Sequence, residues 1–290
     1  MKIKYALLES LITLSNKEID FLLFVARFQD EYGNIKGIYY KEVCSACHLC
    51  KQTFYATLDS LQQKDIISYT RVSQDYDILI KNNDFPDKES YSEGYINVSR
   101  AVFYSNKFRR LRAKEKLLLL IFMRNTHNKA NIYHLGTETF YKVYTELLKV
   151  TKKVLRSYLH TMREFFKVET KDGQYYISRQ SPLLEPSEKI LNNVNSETDQ
   201  YLNHMARVNC RRNKVKNVSH ETLTEIVKII KQYKNIAIAQ ECNILNIISS
   251  CISFSVEKQK KNRNVNYKYV HKLVRIMLHL ETGAVPTASL

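Results

Sequence analysis

The feature that most constrains this 290-residue chain is that it repeats itself. Residues 144 to 162, YTELLKVTKKVLRSYLHTM, align without a gap on residues 43 to 61, VCSACHLCKQTFYATLDSL. Leu148 falls on Cys47, Val150 on Leu49, Thr151 on Cys50, Leu155 on Phe54, Leu159 on Leu58 and Met162 on Leu61. Upstream, AKEKLLLLIFMR at 113 to 124 echoes NKEIDFLLFVAR at 16 to 27. A sequence that returns in register implies one supersecondary unit built twice, so any reading of the first copy has to hold for the second.

Hydrophobic periodicity says what that unit is. Residues 15 to 32 carry Ile19, Leu22, Leu23 and Ala26 at helical spacing behind a Ser15/Glu18 capping box, which predicts a helix. After a turn at Gly33 and the β-prone GIYY, residues 40 to 47 and 51 to 64 read as two further helices, the latter with Phe54, Leu58 and Leu61 on one face. IISYTRVSQDYDILI alternates around a polar centre as a hairpin does, and KVETKDGQYYIS in the second copy offers Asp172-Gly173 as a two-residue turn.

That order of elements resembles a winged helix-turn-helix. Val43 and Cys44 fill the inner face of its second helix, and Cys47, His48, Leu49 and Cys50 make its turn and the next N-cap. Cys50 stands where Ser or Thr is usual, and His48 where Gly is usual. The expected fold class is mainly α with small β wings: two tandem winged-helix domains followed by a small helical domain. The expected boundaries are 1–90 and 95–180 for the winged helices, 181–217 for a linker, 218–282 for the helical domain and 283–290 for a disordered tail. Pro182, Pro186 and a run of Asn, Ser and acidic residues suggest the linker. Leu223, Ile226, Val227 and Ile230, and the periodicity of 236 to 256 and 266 to 280, suggest the helices.

The triplet Cys44-x-x-Cys47-x-x-Cys50 has the look of a metal site. The second copy argues against it, because Leu148, Val150 and Thr151 occupy or flank those positions as core, turn and cap. Cys44 and Cys47 then read as small core residues, with no metal and no cofactor expected. A thiol or metal sensor is the competing reading from another class. No export signal is evident, which favours reduced thiols in a cytoplasm. The longest apolar run, LLLLIFM at 117 to 123, is far below the ~20 residues of a membrane span.

Charge points to a partner. Lys and Arg outnumber Asp and Glu by 45 to 29, a formal charge of +16, as expected for a chain that meets a polyanion. In the third helix of the second copy, Lys152, Arg156 and His160 fall at i, i+4 and i+8 with Lys153 beside them. The first copy places Lys51, Tyr55 and Asp59 there, with Gln52 beside Lys51; Asp59 opposes phosphate, so the second copy should supply most of the affinity. Lys171 and Arg71 lie in the two hairpins, and Arg109, Arg110 and Arg112 between the copies. Further basic stretches include Arg207, Arg211 and Arg212, and then Lys258, Lys268, Lys272 and Arg275. His160-x-x-Arg163 has the spacing of a tyrosine-recombinase box, but no accompanying catalytic set is evident. Phosphate-loop, H-E-x-x-H and G-x-S-x-G motifs are also missing, so no catalytic residues and no enzyme activity are expected.

Tandem winged helices with a helical tail resemble the plasmid and phage replication initiators of low-GC bacteria. NYKYVHKLVRIM near the C-terminus is similar to the end of DnaD-type domains, which couple initiators to helicase loading. The resemblance implies a sequence-specific double-stranded DNA-binding protein, an initiator or maintenance protein of a plasmid, phage or other mobile element. A transcriptional regulator is the alternative. It implies Lys152, Lys153, Arg156 and His160, then Lys51, Gln52 and Tyr55, as DNA-reading positions. It also implies a cytoplasmic, nucleoid-associated location, replication or transcription proteins as partners of the C-terminal region, a possible homodimer and no membrane.

Overall fold

The computed structural model describes residues 1–127, 130–182, 184, 190–215, 218–259 and 264–280, without the side chains of Lys88 and residues 190–197. The chain forms two compact units, one of residues 1–71 and 75–190, the other of residues 72–74 and 191–290.

The first unit begins with β1 (Lys2–Lys4), α1 (Tyr5–Ser10) and a short 3-10 turn (Leu11–Thr13). The first repeat follows as α2 (Asn16–Ala26), β2 (Asn34–Ile38), α3 (Tyr40–Cys47), α4 (Lys51–Gln63) and the hairpin β3 (Ile67–Val72) and β4 (Asp75–Ile80). A connection of α5 (Lys88–Ser92), β5 (Tyr95–Asn97), α6 (Arg100–Tyr104) and α7 (Asn106–Arg110) leads to the second repeat. That repeat is α8 (Ala113–Asn125), β6 (Ile132–Gly136), α9 (Thr137–Leu148), α10 (Lys152–Met162), β7 (Phe166–Lys171) and β8 (Gln174–Arg179). The sheets are ordered β2-β4-β3 and β6-β8-β7, so each repeat adds its early strand to its own hairpin.

Matching chemistry sets matching geometry. The turn into each third helix needs a left-handed residue, supplied by His48 (φ 52°) and Lys149 (φ 49°). Cys50 accepts from the Thr53 amide at 3.4 Å, and Thr151 accepts from Val154 at the same distance, so the sulfur caps as the hydroxyl does. Glu18 and Glu115 each close an N-terminal box, on the Ser15 and Arg112 amides, and each also accepts a hydroxyl from the third helix, Ser60 at 2.6 Å or Thr161 at 3.0 Å. Gly33 (φ 76°) permits the turn before β2, where a Cβ would meet the Ile80 carbonyl at 2.9 Å.

The expected class, mainly α with small β wings in two tandem winged-helix domains followed by a small helical domain, is corrected by this architecture. Helix makes up about 59% and strand 16%, and the strands form three sheets rather than two wings. The extra sheet pairs β1 with β5 in antiparallel register, Ile3 opposite Ile96, and joins the N-terminus to the connection between the repeats. The repeats are also not separate bodies. One apolar core runs from Met1 to Leu184, α1 and α2 both pack on α8, and the Lys116 ammonium of α8, fully buried, reaches the Asp20 carboxylate of α2 at 2.5 Å. Burial raises the carboxyl of Asp20 and lowers the ammonium of Lys116, and each offsets the other's cost by its charge. A physical reason is visible in α8, where Leu117, Leu118, Leu119, Leu120, Phe122 and Met123 are all buried; a helix apolar around most of its surface needs partners on more than one side.

The second unit holds α11 (Ile190–Arg212), α12 (His220–Ala239), α13 (Ile244–Lys258) and α14 (Tyr267–Met277) around a core of its own. Much of the stretch expected as a linker is α11, whose Leu202, Ala206 and Cys210 are buried in that core. Ser219 caps α12 through the Thr222 amide at 3.1 Å. The expected tail, 283–290, lies outside the described residues.

Candidate nucleic-acid interface

Helix α10 buries Leu155, Tyr158, Leu159 and Met162 and turns Lys152, Lys153, Arg156 and His160 to solvent. This is the consequence of its period: apolar residues three and four apart claim one face and the cations inherit the other. Among the described residues none of the four is ion-paired, so the charges of Lys152, Lys153 and Arg156 are not cancelled by a direct partner.

Two of these cations are held in place. The Arg156 Nε donates to the Tyr141 hydroxyl at 3.0 Å, with its guanidinium 5.5 Å from the ring centroid, and the Lys152 ammonium stands 5.8 Å from the same ring. The Tyr141 hydroxyl also shares a 2.8 Å hydrogen bond with Tyr175 of β8. Burial pushes the Tyr141 phenol up, but the hydrogen bonds from Tyr175 and Arg156 and the charges of Arg156 and Lys152 carry it below its usual value. Burial and the bond to Tyr141 push Tyr175 up to about 12, consistent with Tyr175 as the donor. With Nε engaged, Arg156 keeps its two terminal nitrogens for an outside acceptor. Beside this face an open groove between α9 and α10 is lined by Lys142, Glu146, Lys149, Val150 and Val154.

Helix α4 presents the equivalent face differently. Lys51 lies 5.3 Å from the Tyr40 ring centroid and 6.0 Å from that of Tyr55, and Gln52 is exposed. Asp59 accepts the Tyr69 hydroxyl at 2.5 Å, and that bond, with burial, pushes the phenol up to about 12. Tyr55 faces Tyr76 at 6.2 Å between centroids. The face is aromatic with one lysine, where α10 is cationic. Tyr40 and Tyr141 are matching positions of the repeat, each under the first lysine of its third helix. Sequence reasoning passed over both, although the Tyr-Lys pair at 40–41 recurs at 141–142 and carried the signal.

Lys171 and Arg71 are exposed in their hairpins, the first beside the turn at Asp172 (φ 49°) and Gly173 (φ 71°). Arg109 and Arg110 on α7, and Arg112 ahead of α8, are exposed as well. Of the more C-terminal cations, Arg207, Lys268 and Lys272 are exposed and Lys258 stands 4.4 Å from the Tyr269 ring centroid, while Lys260, Lys261 and Arg263 lie outside the described residues.

All six cysteines are free thiols. Cys47 donates to the Asp20 carbonyl at 3.6 Å, and burial, then the charge of Asp20, push its thiol far above the usual range. Cys50 is exposed, and its hydrogen bonds with Thr53 draw its thiol down. Among the described residues no three His, Cys, Asp or Glu side chains gather as metal ligands, and no helix is long and apolar enough to cross a membrane. No family model, curated protein or solved structure matches the chain.

Proposed function

We propose that this protein binds double-stranded DNA sequence-specifically, as a replication initiator or maintenance protein of a plasmid, phage or other mobile element in the cytoplasm. The observation that carries the reading is the exposed face of α10: Lys152, Lys153 and Arg156 in a stripe with His160 in line, none of them ion-paired among the described residues, and Arg156 oriented by Tyr141. An α-helix fits the major groove, and an arginine with both terminal nitrogens available matches the O6 and N7 acceptors of guanine. Lys152 and Lys153 then serve phosphates, which position the helix without reading sequence. Lys171 at the tip of the neighbouring hairpin, and Arg71 in the first repeat, extend the contact to backbone. Lys51, Gln52 and Tyr55 supply a second, weaker reader. The C-terminal helices serve as the contact for replication proteins.

The test is recovery of DNA bound from fragments of the gene's own neighbourhood, followed by a salt titration of the best fragment. Enrichment of tandem repeats and a steep salt slope are the expected result. A palindrome over a promoter would make the protein a transcriptional regulator. Binding without any enriched sequence would refute specific recognition.

A further inference from the structure

A second cationic cluster lies in the first unit, away from the α10 stripe in sequence and built on different elements. Arg27, which follows α2, donates from one terminal nitrogen to the Tyr104 hydroxyl at 2.7 Å. Arg100 at the start of α6 and Arg109 on α7 place their guanidiniums 5.8 Å and 5.6 Å from the centroid of the same ring. Three guanidiniums therefore share one tyrosine.

No described carboxylate is within ion-pair distance of the three. Glu42 bears on Arg27, and Asp20 feels the charge of Arg109. Asp20 is already bound to Lys116, and among the described residues none of the three guanidiniums is in an ion pair. Arg27 is half-buried between Tyr104 and the rings of Phe24 and Phe28, at 5.0 Å and 4.4 Å, and its Nε is buried with no hydrogen-bond partner among the described residues. Folding does not bring like charges together on a half-buried ring without cost, and an unmet buried donor adds to it. A group with several acceptor oxygens and negative charge would relieve the repulsion between the guanidiniums. Arg100 and Arg109 are exposed and so open to such a group, and the planar guanidinium pairs with phosphate through two parallel hydrogen bonds.

We propose that Arg27, Arg100 and Arg109, gathered about Tyr104, form a binding site for a phosphate group. On the functional reading above, from which this extends, the phosphate belongs to the DNA backbone. Arg100 and Arg109 make the contact, while Arg27 holds the Tyr104 hydroxyl and adds its charge.

The experiment compares wild type with the double variant Arg100→Gln/Arg109→Gln, both exposed positions, and with Lys152→Gln/Lys153→Gln as a control, after circular dichroism has shown that each is folded. Binding to a duplex of random sequence is measured against salt. Each lost phosphate contact lowers the slope of log K against log salt by about 0.9, so the arginine variant should fall by about 1.8. A parallel thermal-shift series with inorganic phosphate reads the site without DNA: wild type should gain melting temperature and the arginine variant should not. An unchanged DNA slope together with an unchanged phosphate shift overturns the site while leaving the DNA reading intact. If wild type binds no duplex but phosphate protection is lost in the arginine variant, the site stands for free phosphate and the DNA reading falls.

Discussion

The consequences at the residue scale turn on what holds each side chain. Arg156 spends its Nε on Tyr141, and that bond fixes where its other nitrogens point. Arg156→Ala should cost about 1 to 3 kcal/mol of specific DNA binding and relax discrimination at one base position. Tyr141→Phe keeps the arginine and the ring but removes the acceptor, so its loss should be smaller, on the order of tenfold or less at 1.4 kcal/mol per decade. Lys51→Ala should weaken binding less than Arg156→Ala. Anisotropy titrations at one salt concentration rank the three, and a larger loss for Lys51→Ala would move the main reader to α4. The same logic of placement orders the thiols. Exposed Cys50, with its thiol drawn down by Thr53, should alkylate well before Cys47, Cys210 and Cys251, whose burial raises theirs. Time-resolved iodoacetamide labelling read by peptide mass spectrometry gives that order.

At the scale of the element, Glu18 ties the start of α2 to the end of α4, accepting from the Ser15 amide, Ser60 and Lys64. Burial alone would raise its carboxyl; the hydrogen bonds from Lys64, Ser60 and Ser15 bring it down to about 2 from 4.5. Because the folded value lies below the unfolded one, the stabilisation is complete above pH 4.5 and is lost as pH falls towards 2. Glu18→Gln should remove on the order of 1 to 3 kcal/mol at neutral pH and flatten stability across that acid window, as denaturant titrations at several pH values would register. Elements of this kind were legible in sequence: the Ser15/Glu18 box, helices at 40–47 and 51–64, and the Asp172-Gly173 turn depend on contacts within a few residues. Thr151 also foretold that Cys50 caps its helix. The β1–β5 pairing was not legible, since three-residue strands distant in sequence carry no period of their own. Helix α11 was hidden for a related reason: its mix of Asn, Ser and acidic residues matches a linker in composition, and only partners from α12 and α13 make its Leu202, Ala206 and Cys210 a core face. The α10 stripe could be read from spacing alone, but Tyr141 on α9 and Tyr175 on β8 meet only through tertiary packing and are brought to Arg156 only by the fold.

For the molecule as a whole, what matters is that the two repeats share one interior. A gapless repeat suggests two bodies able to fold apart, yet the Asp20 to Lys116 pair joins the first helix of one copy to the first helix of the other, and the β1–β5 sheet ties the N-terminus into the segment between them. The apolar rows of α8 are filled from both sides, so neither copy has a closed core without it. The ammonium of Lys116 is fully buried against the Phe108 ring, 4.9 Å from its centroid, and Asp20 is its carboxylate partner. Replacing the lysine leaves a carboxylate with 21% of its side chain in water, which moderates the usual cost of breaking a buried pair. Lys116→Met, which keeps the stem's volume, should therefore destabilise by about 1 to 3 kcal/mol, and Asp20→Asn in the same chain should recover part of that. The decisive readout is where the loss is felt. If the core is shared, amide exchange should accelerate together in α2 of the first repeat and α8 of the second, and both should melt in one transition. Faster exchange confined to α8, with α2 protected as in wild type, would mean that the copies are held side by side but unfold on their own.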